Sequence, residues 1–310
     1  VTNLITIGNF DGVHLGHQAL LKAIADKKKS ILQNSSTIEP ALQCIALTFH
    51  PHPIEILRPE TTITRLSSIS DKTTLLKQYG IDKVVMIPFN KNLSKVSARD
   101  FFEQYIRLPH DPIFLCVGAN FCFGNNREGN VEKLKEWCDH ANIDFLAMNP
   151  ISKNSEIISS SRIRKTITQG DLASATELLG RNHFVSGTII HGDHRGKTIG
   201  IPTANLDPLI DGQYQRALPP TGVYFTRSSI ENNSFYSLTN IGFKPTFGAQ
   251  SSISIETHML DFHLGDVYEK RLSVEFLDRL RPEINFSGID ELKQQIQKDI
   301  LKARLLIAQI

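Results

Sequence analysis

The chain has 310 residues, enough for two domains, with 40% hydrophobic and 21% charged residues, as in an ordinary globular protein. Its net charge of +2 argues against a global field for nucleic acid or membrane. No apolar run reaches bilayer length and no signal-peptide pattern is present. The chain begins at Val1, almost on the first strand, so a native start upstream is expected; the cysteine usage below points to a cytoplasmic protein.

Leu4–Ile7 reads as a buried strand. It runs into residues 8–17, GNFDGVHLGH, and then into a helical pattern marked by Ala19, Leu20, Ala23 and Ile24. A strand, a glycine turn and a helix N-terminus together make an anion site, because the first-turn N–H groups point outward and the dipole favours negative charge. His14 and His17 would flank that anion as donors to phosphate oxygens. A surface pair also fits this spacing. A metal pair lacks a third ligand nearby. Lys27-Lys28-Lys29 reads as the solvated end of the helix.

Further strands are expected at Gln43–Phe49, Lys83–Ile87, Ile113–Val117 and Asp144–Ala147. Helices are expected at Asp71–Tyr79, Ala98–Tyr105 and Asn130–Ala141. This alternation predicts a doubly wound parallel α/β sheet, whose ligands bind beyond the carboxyl ends of the strands. Three motifs start where strands end: the glycine turn, TFHPHP (Thr48–Pro53) and GANFCFG (Gly118–Gly124). Pro51 and Pro53 stiffen the loop that carries His50 and His52. Asn120 can both donate and accept. Phe121 and Phe123 suit either a flat ligand ring or the core. The cysteines, Cys44, Cys116, Cys122 and Cys138, have no CxxC spacing and read as reduced thiols.

Ser159–Arg181 reads as two short helices broken at Gly170-Asp171, and the boundary is placed near Arg181. Beyond it, Phe184–His191, Gly222–Arg227, Phe235–Asn240, Ile253–Phe262 and Arg271–Leu277 are strand-like without helices between them. They predict a small barrel or sandwich, closed by a helix over Ile289–Ile307. Gly192, Gly196 and Gly200 would let a loop wrap a phosphate, although no GxxxxGK[ST] pattern is present. Thr203 and Asn205, in PTAN (Pro202–Asn205), offer hard oxygens suited to Mg²⁺. Alternation over Ile253–His258 puts Ile253, Ile255 and Thr257 on one face, Glu256 and His258 on the other.

These strings carry a resemblance. GNFDGVHLGH resembles the HxGH-type nucleotidylyltransferases, and most closely the adenylyltransferase half of the bacterial bifunctional riboflavin kinase/FMN adenylyltransferases. Ser160, Ser161 and Arg164 match that family's serine/threonine–x–Ile–Arg motif, with Ser161 in place of the usual threonine; Arg162 falls on another helical face and is expected in solvent. The stretch Gly187–Leu206 and NIGFKPTFG, beginning at Asn240, resemble the riboflavin kinase half, with Ile201 where phenylalanine is frequent. The resemblance implies a Rossmann-like adenylyltransferase domain over 1–181 and a β-barrel riboflavin kinase domain over 182–310.

In the implied reactions riboflavin is phosphorylated to FMN with release of ADP, and FMN is adenylylated by ATP to FAD with release of pyrophosphate. Mg²⁺ accompanies ATP, and no nucleic acid or membrane partner is implied. His14, His17, Arg164 and Glu256 are the implied catalytic residues, Glu256 as base. Gly8, Asn9, Phe10, Asp11, Gly12, His50, Pro51, Asn120, Ser160 and Ser161 would bind ATP or flavin in the first half. Gly192, Gly196, Gly200, Pro202, Thr203, Asn205 and Asn240 would do so in the second. The competing readings are a single-activity adenylyltransferase with a non-catalytic flavin-binding β domain, and a flavin-sensing or nucleic-acid-binding regulator, against which the near-zero net charge weighs.

Overall fold

The computed structural model describes residues 2–34, 41–192, 200–231, 233–244, 252–262 and 267–309. The chain divides into two compact units: Val1–Ile63 with Ile69–Ser160, and Thr64–Ser68 with Ser161–Ile310.

The first unit is built on five parallel strands: β1 (Thr2–Ile7), β2 (Leu42–His50), β3 (Lys83–Pro88), β4 (Pro112–Gly118) and β5 (Asp144–Met148). Their order is β3-β2-β1-β4-β5. The chain moves outward from β1 to β3 and then returns to the other side of β1. The topological switch point therefore lies between β1 and β4, where Thr6 pairs with Cys116. Leu4, Ile5, Ile7, Ile45, Leu47, Leu115 and Val117 are all buried, as expected for a parallel sheet covered on both faces.

One face carries α1 (Leu15–Asn34), which buries Leu20, Leu21 and Ile24. Against the other pack α6 (Val131–His140) and a continuous helical stretch: α4 (Ala98–Phe101), a π segment (Phe102–Arg107) and α5 (Leu108–His110). Two short helices, α2 (Pro53–Leu57) and α3 (Ile69–Gln78), lie between β2 and β3, and a small hairpin, β6 (Ser152–Lys153) with β7 (Glu156–Ile157), follows β5. Phe123 is buried in this core and Phe121 stacks on it with ring centroids 5.2 Å apart, so both phenylalanines pack as core.

The lysine run differs from expectation. α1 continues to Asn34, and Lys27 and Lys28 pair with Asp144 and Asp82, each at 2.7 Å. Those carboxylates stand at the amino-terminal ends of the two edge strands, β5 and β3, so the run is mid-helix and two of its three lysines are paired, while Lys29 is exposed.

α7 (Ser160–Thr168) and α8 (Leu172–Leu179) are the two short helices expected around Gly170, which has φ +83°. Asp171 caps α8 through a 3.0 Å bond from Ser174 N. Arg162 is half-buried, less solvated than expected from its helical face.

The second unit contains β8 (Phe184–Ile190), β9 (Ala204–Leu206), β12 (Gly222–Ile230), β13 (Asn233–Lys244), β14 (Ser252–Met259) and β15 (Arg271–Arg281), closed as a barrel in the order β12-β13-β14-β9-β8-β15. β10 (Leu209–Ile210) and β11 (Tyr214–Gln215) form a separate ribbon. Closure decides for a barrel over a sandwich and leaves its strands without free edges. Tyr224, Ile241, Ile255, Met259, Leu272, Val274 and Phe276 fill the interior.

That interior is not purely apolar. Buried hydroxyls run Ser228–Ser237–Thr226–Thr239–Thr257 across three strands, with links of 2.6, 2.8, 2.8 and 3.0 Å. Outside the barrel, Val223, Phe225, Leu238 and Leu280 pack on Ala303 of α9 (Ile289–Ile307). Arg281 anchors that helix through a two-pronged pair with Asp299, at 2.8 to 3.1 Å.

Candidate active sites of the two units

In the first unit the glycine turn sits at the carboxyl end of β1. Gly8 N donates to Leu47 O at 3.1 Å and Thr48 Oγ1 to Asn9 O at 3.1 Å, so β2 holds the turn from one side. Ser160 Oγ donates to Asp11 O at 2.9 Å, and holds it again from the start of α7. Phe10 (φ +49°) and Val13 (φ +39°) flank Gly12 (φ +80°). Two non-glycine residues in the left-handed region within four positions is strain of the kind that collects at functional turns. Phe10, Asp11 and Val13 are buried.

His14 and His17 meet, although α1 begins only at Leu15. Their rings stack with centroids 3.6 Å apart at 18°, and the edge of Phe10 meets His17 at 5.2 Å. The backbone N–H of His17 points at His14 Nδ1, 3.4 Å away. An accepting Nδ1 puts the proton of neutral His14 on Nε2. Burial first, then the neighbouring His14 and Lys72, hold the pKa of His17 well below the usual imidazole value. Its Nδ1 is buried with no hydrogen-bond partner. Two rings stacked this closely oppose protonation of both at once.

Gly16 leaves room for the His14 ring of the stack. A Cβ there would stand 3.1 Å from His14 Cε1 and 3.2 Å from Nδ1. Sequence reasoning assigns roles to Gly8 and Gly12 but none to Gly16; its place between the two histidines is the available signal. Lys72, in the α3 pattern, is missed in the same way. One cation among helical residues carries no local mark of burial, yet Lys72 is 9% exposed.

His50 ends β2 and is joined to Pro51 by a cis peptide bond. His52 caps a helix. Its Nδ1 accepts from Ile54 N at 3.3 Å, and its own N–H donates to Glu55 Oε2 at 3.2 Å, which makes a capping box for α2. Asn120 is exposed just past the carboxyl end of β4, the strand beside β1. On α7, Ser161 is exposed and Arg164, half-buried, lies one turn beyond Ser160 on the same face.

In the second unit the barrel register lines up residues far apart in the chain. Asn240 on β13 pairs with Glu256 on β14, and Glu256 pairs with Asn205 on β9. The three side chains therefore share one face in one row across three strands. Asn205 is buried, while Glu256 and Asn240 are partly exposed. The backbone of Gly192 lies hard against the Asn205 amide: a Cβ there would sit 2.2 Å from Nδ2.

His258 lies two residues along β14 from Glu256, and its Nδ1 meets Pro202 O at 2.9 Å. A carbonyl only accepts, so His258 donates from Nδ1 and ties Pro202-Thr203 to β14. Gly200 takes φ +78° at the end of the glycine loop; Gly196 lies outside the described residues.

Thr203 and Asn205 are hard oxygen donors, and they fit an ion that keeps water and phosphate in most of its coordination sphere. No cluster of three His, Cys, Asp or Glu side chains able to hold a metal occurs among the described residues. All four cysteines are free. Burial pushes the thiols of Cys44 up to about 11 and those of Cys116 and Cys138 up to about 12; Cys122 is exposed. No helix among the described residues is long and apolar enough to cross a membrane.

Two family models match the chain in succession. The family model described as FAD synthetase matches residues 2–162, and that described as riboflavin kinase matches 179–307. The bifunctional riboflavin kinase/FMN adenylyltransferase of Bacillus subtilis is 33% identical over 303 residues, covering 96% of this chain and 90% of its own. The protein of the same name from Listeria monocytogenes is 31% identical over 311 residues, covering 100% and 94%. A crystal structure of a Streptococcus pneumoniae protein named there as a macrolide-efflux protein is similar with a TM-score of 0.82 at 28% identity, over 98% of this chain and 94% of that one. Full-length similarity at this identity, with both domain models matched in order, means that the chain belongs to the bifunctional riboflavin kinase/FMN adenylyltransferase family.

Proposed function

We propose that this chain makes FAD from riboflavin in two ATP-dependent steps, the kinase step on residues 182–310 and the adenylyl transfer on residues 1–181. The observation that carries the reading is the presence of two separate site constellations, the His14–His17 stack in one unit and the Asn240–Glu256–Asn205 row in the other.

In the kinase step the terminal ribityl hydroxyl of riboflavin attacks the γ-phosphorus of ATP. Glu256 accepts the hydroxyl proton as the new O–P bond forms, and ADP leaves. Thr203 and Asn205 would hold Mg²⁺, which supplies charge neutralisation on the phosphates. Gly192, Gly200 and Pro202 belong to the phosphate loop, to which the family motif also assigns Gly196, and Asn240 stands in register beside the base. In the second step an FMN phosphate oxygen attacks the α-phosphorus of a further ATP. The bond to the β-phosphate oxygen breaks and pyrophosphate leaves. Catalysis rests on alignment and charge stabilisation, with no covalent intermediate on the enzyme.

His14 and His17 donate to the reacting phosphate. The turn Gly8-Asn9-Phe10-Asp11-Gly12 supplies backbone N–H groups. Ser160, Ser161 and Arg164 bind ATP phosphates, the guanidinium as a planar fork. His50, Pro51 and Asn120 line the nucleotide or flavin site. Use of ATP and four cysteines without a disulfide partner support a cytoplasmic location and small-molecule substrates.

Chromatography of riboflavin with Mg-ATP tests the whole reading: FMN appears first and FAD second. His17→Ala is expected to lower FAD formation by about 10²–10³ and to spare FMN formation. Glu256→Ala is expected to stop FMN formation and spare FAD formation from added FMN. Intact FAD synthesis in His17→Ala would remove the adenylyl assignment.

A further inference from the structure

The hydroxyls inside the barrel take no part in the reaction scheme, yet their bonds have a direction. Ser228, Ser237, Thr226, Thr239 and Thr257 are all fully buried. Each hydroxyl has one proton to donate and two lone pairs with which to accept. Thr226 Oγ1 lies 3.1 Å from the carbonyl oxygen of Ser237, which can only accept, so Thr226 donates there. Its links to Ser237 Oγ and Thr239 Oγ1, 2.8 Å each, are then bonds that it accepts. Thr239 donates to Thr226 and accepts from Thr257 at 3.0 Å. Ser237 donates to Thr226 and accepts from Ser228 at 2.6 Å. Every proton of the network is placed, with Thr226 as its hub.

Packing alone does not call for these hydroxyls. Ile255 and Met259 flank Thr257 on the interior face of β14, and valine has the shape of threonine. Replacing both partners of a buried bond by apolar groups is nearly neutral for stability, whereas removing one strands the other. Directed bonds add registration, because they are met at one alignment of the strands. Thr257 stands opposite Thr239, and the next pair along the same two strands is Glu256 opposite Asn240. The hydroxyl pair therefore backs the Asn240–Glu256 pair on the other face of the sheet, one Cα step of about 3.8 Å away. On its other side β14 meets β9, where Thr257 faces Ala204, a residue with no hydroxyl. The side-chain tie that holds β14 in place here runs to β13.

We propose that the Thr257–Thr239 hydrogen bond, held in direction by Thr226, positions Glu256 to take the proton in riboflavin phosphorylation. The inference rests on the assignment of Glu256 as the base of the kinase step. The hydroxyls are buried in the barrel and act through β14, so Thr257, Thr239 and Thr226 are positioning residues.

The test measures kcat, KM and the solvent deuterium isotope effect on kcat for FMN formation from riboflavin and Mg-ATP in the full chain. Thr257→Val keeps the shape and removes the donor. Its kcat is expected to fall about tenfold, as for a base displaced by about half an ångström, with both KM values within twofold. The isotope effect is expected to rise, because proton transfer to a displaced base limits the rate more. Thr257→Ser keeps the hydroxyl and is expected to recover most of the loss. Thr239→Val breaks the same bond, so the double variant is expected to lose less than the product of the two single losses. A structural role alone lowers the amount of folded enzyme and leaves the isotope effect where it was.

A kcat within twofold of the parent in Thr257→Val, or a lower kcat with an unchanged isotope effect, would overturn the proposal. So would a loss in Thr257→Ser equal to that in Thr257→Val. If Thr257→Val does not fold, Thr239→Val is read against the same outcomes. Glu256→Gln separates the premise from the inference: if it keeps FMN formation, the base assignment fails, whereas its loss beside an unimpaired Thr257→Val removes the positioning role alone.

Discussion

Replacing Gly192 by alanine should silence one activity of this chain and leave the other. The added Cβ would lie 2.2 Å from Asn205 Nδ2 and 2.5 Å from Cγ, where ordinary contact begins at 3.4 Å. Either the loop or the amide must therefore move by about an ångström. Asn205 is 9% exposed and fixed in register between β8 and β14, so little room is open to it. Overpacking of this kind costs about 1–3 kcal/mol of stability, tolerable for a chain of this size. Its effect on rate is larger, since displacing a positioned group by about 1 Å costs on the order of 10². Riboflavin phosphorylation by Gly192→Ala should accordingly fall about a hundredfold, read as FMN by chromatography with Mg-ATP. FAD formation from added FMN should stay near the parent value. Kinase activity within twofold of the parent would refute the contact of Gly192 with Asn205 as a determinant of the site.

Three further outcomes follow from the geometry. Gly16→Ala crowds the His14 ring, which is already stacked on His17, and should give the mirror result: FAD formation reduced by about 10–10², FMN formation retained. Because the pKa of His17 is lowered in the folded state, the unfolded chain binds the extra proton as pH falls below about 6.5; stability should then drop with a slope of up to about 1.4 kcal/mol per pH unit, and His17→Gln should flatten that slope in urea titrations at pH 5.5 and 7.5. Asp299→Ala strands Arg281, whose side chain is 14% exposed in the pair, and should cost about 3–5 kcal/mol in denaturant unfolding; a loss below 1 kcal/mol would mean that the apolar contacts of α9 alone hold it.

The local reading reached furthest where chemistry and periodicity coincide. The five strands of the first unit, the glycine turn and the break at Gly170 were legible because apolar runs, φ requirements and caps act over a few residues. Alternation on β14 separated Glu256 from Ile255 and Thr257 for the same reason: the strand period is two and needs no partner. His52 shows where such reading stops. It stands two residues from His50 in the same histidine-proline string, and only the backbone geometry reveals it as a helix cap.

The sequence by itself determined which groups are present and in what order: two imidazoles after a glycine turn, hydroxyls and an arginine near residue 160, an amide and a carboxylate in the β-rich half. The tertiary structure decided which of them meet. Register brought Asn240, Glu256 and Asn205 into one row although 51 positions separate the last two. Close packing set Gly16 against the His14 ring and Gly192 against the Asn205 amide, and the fold buried Lys72 on the core-facing side of α3. Those are consequences of long-range excluded volume and desolvation, and neither leaves a mark on neighbouring letters of the chain.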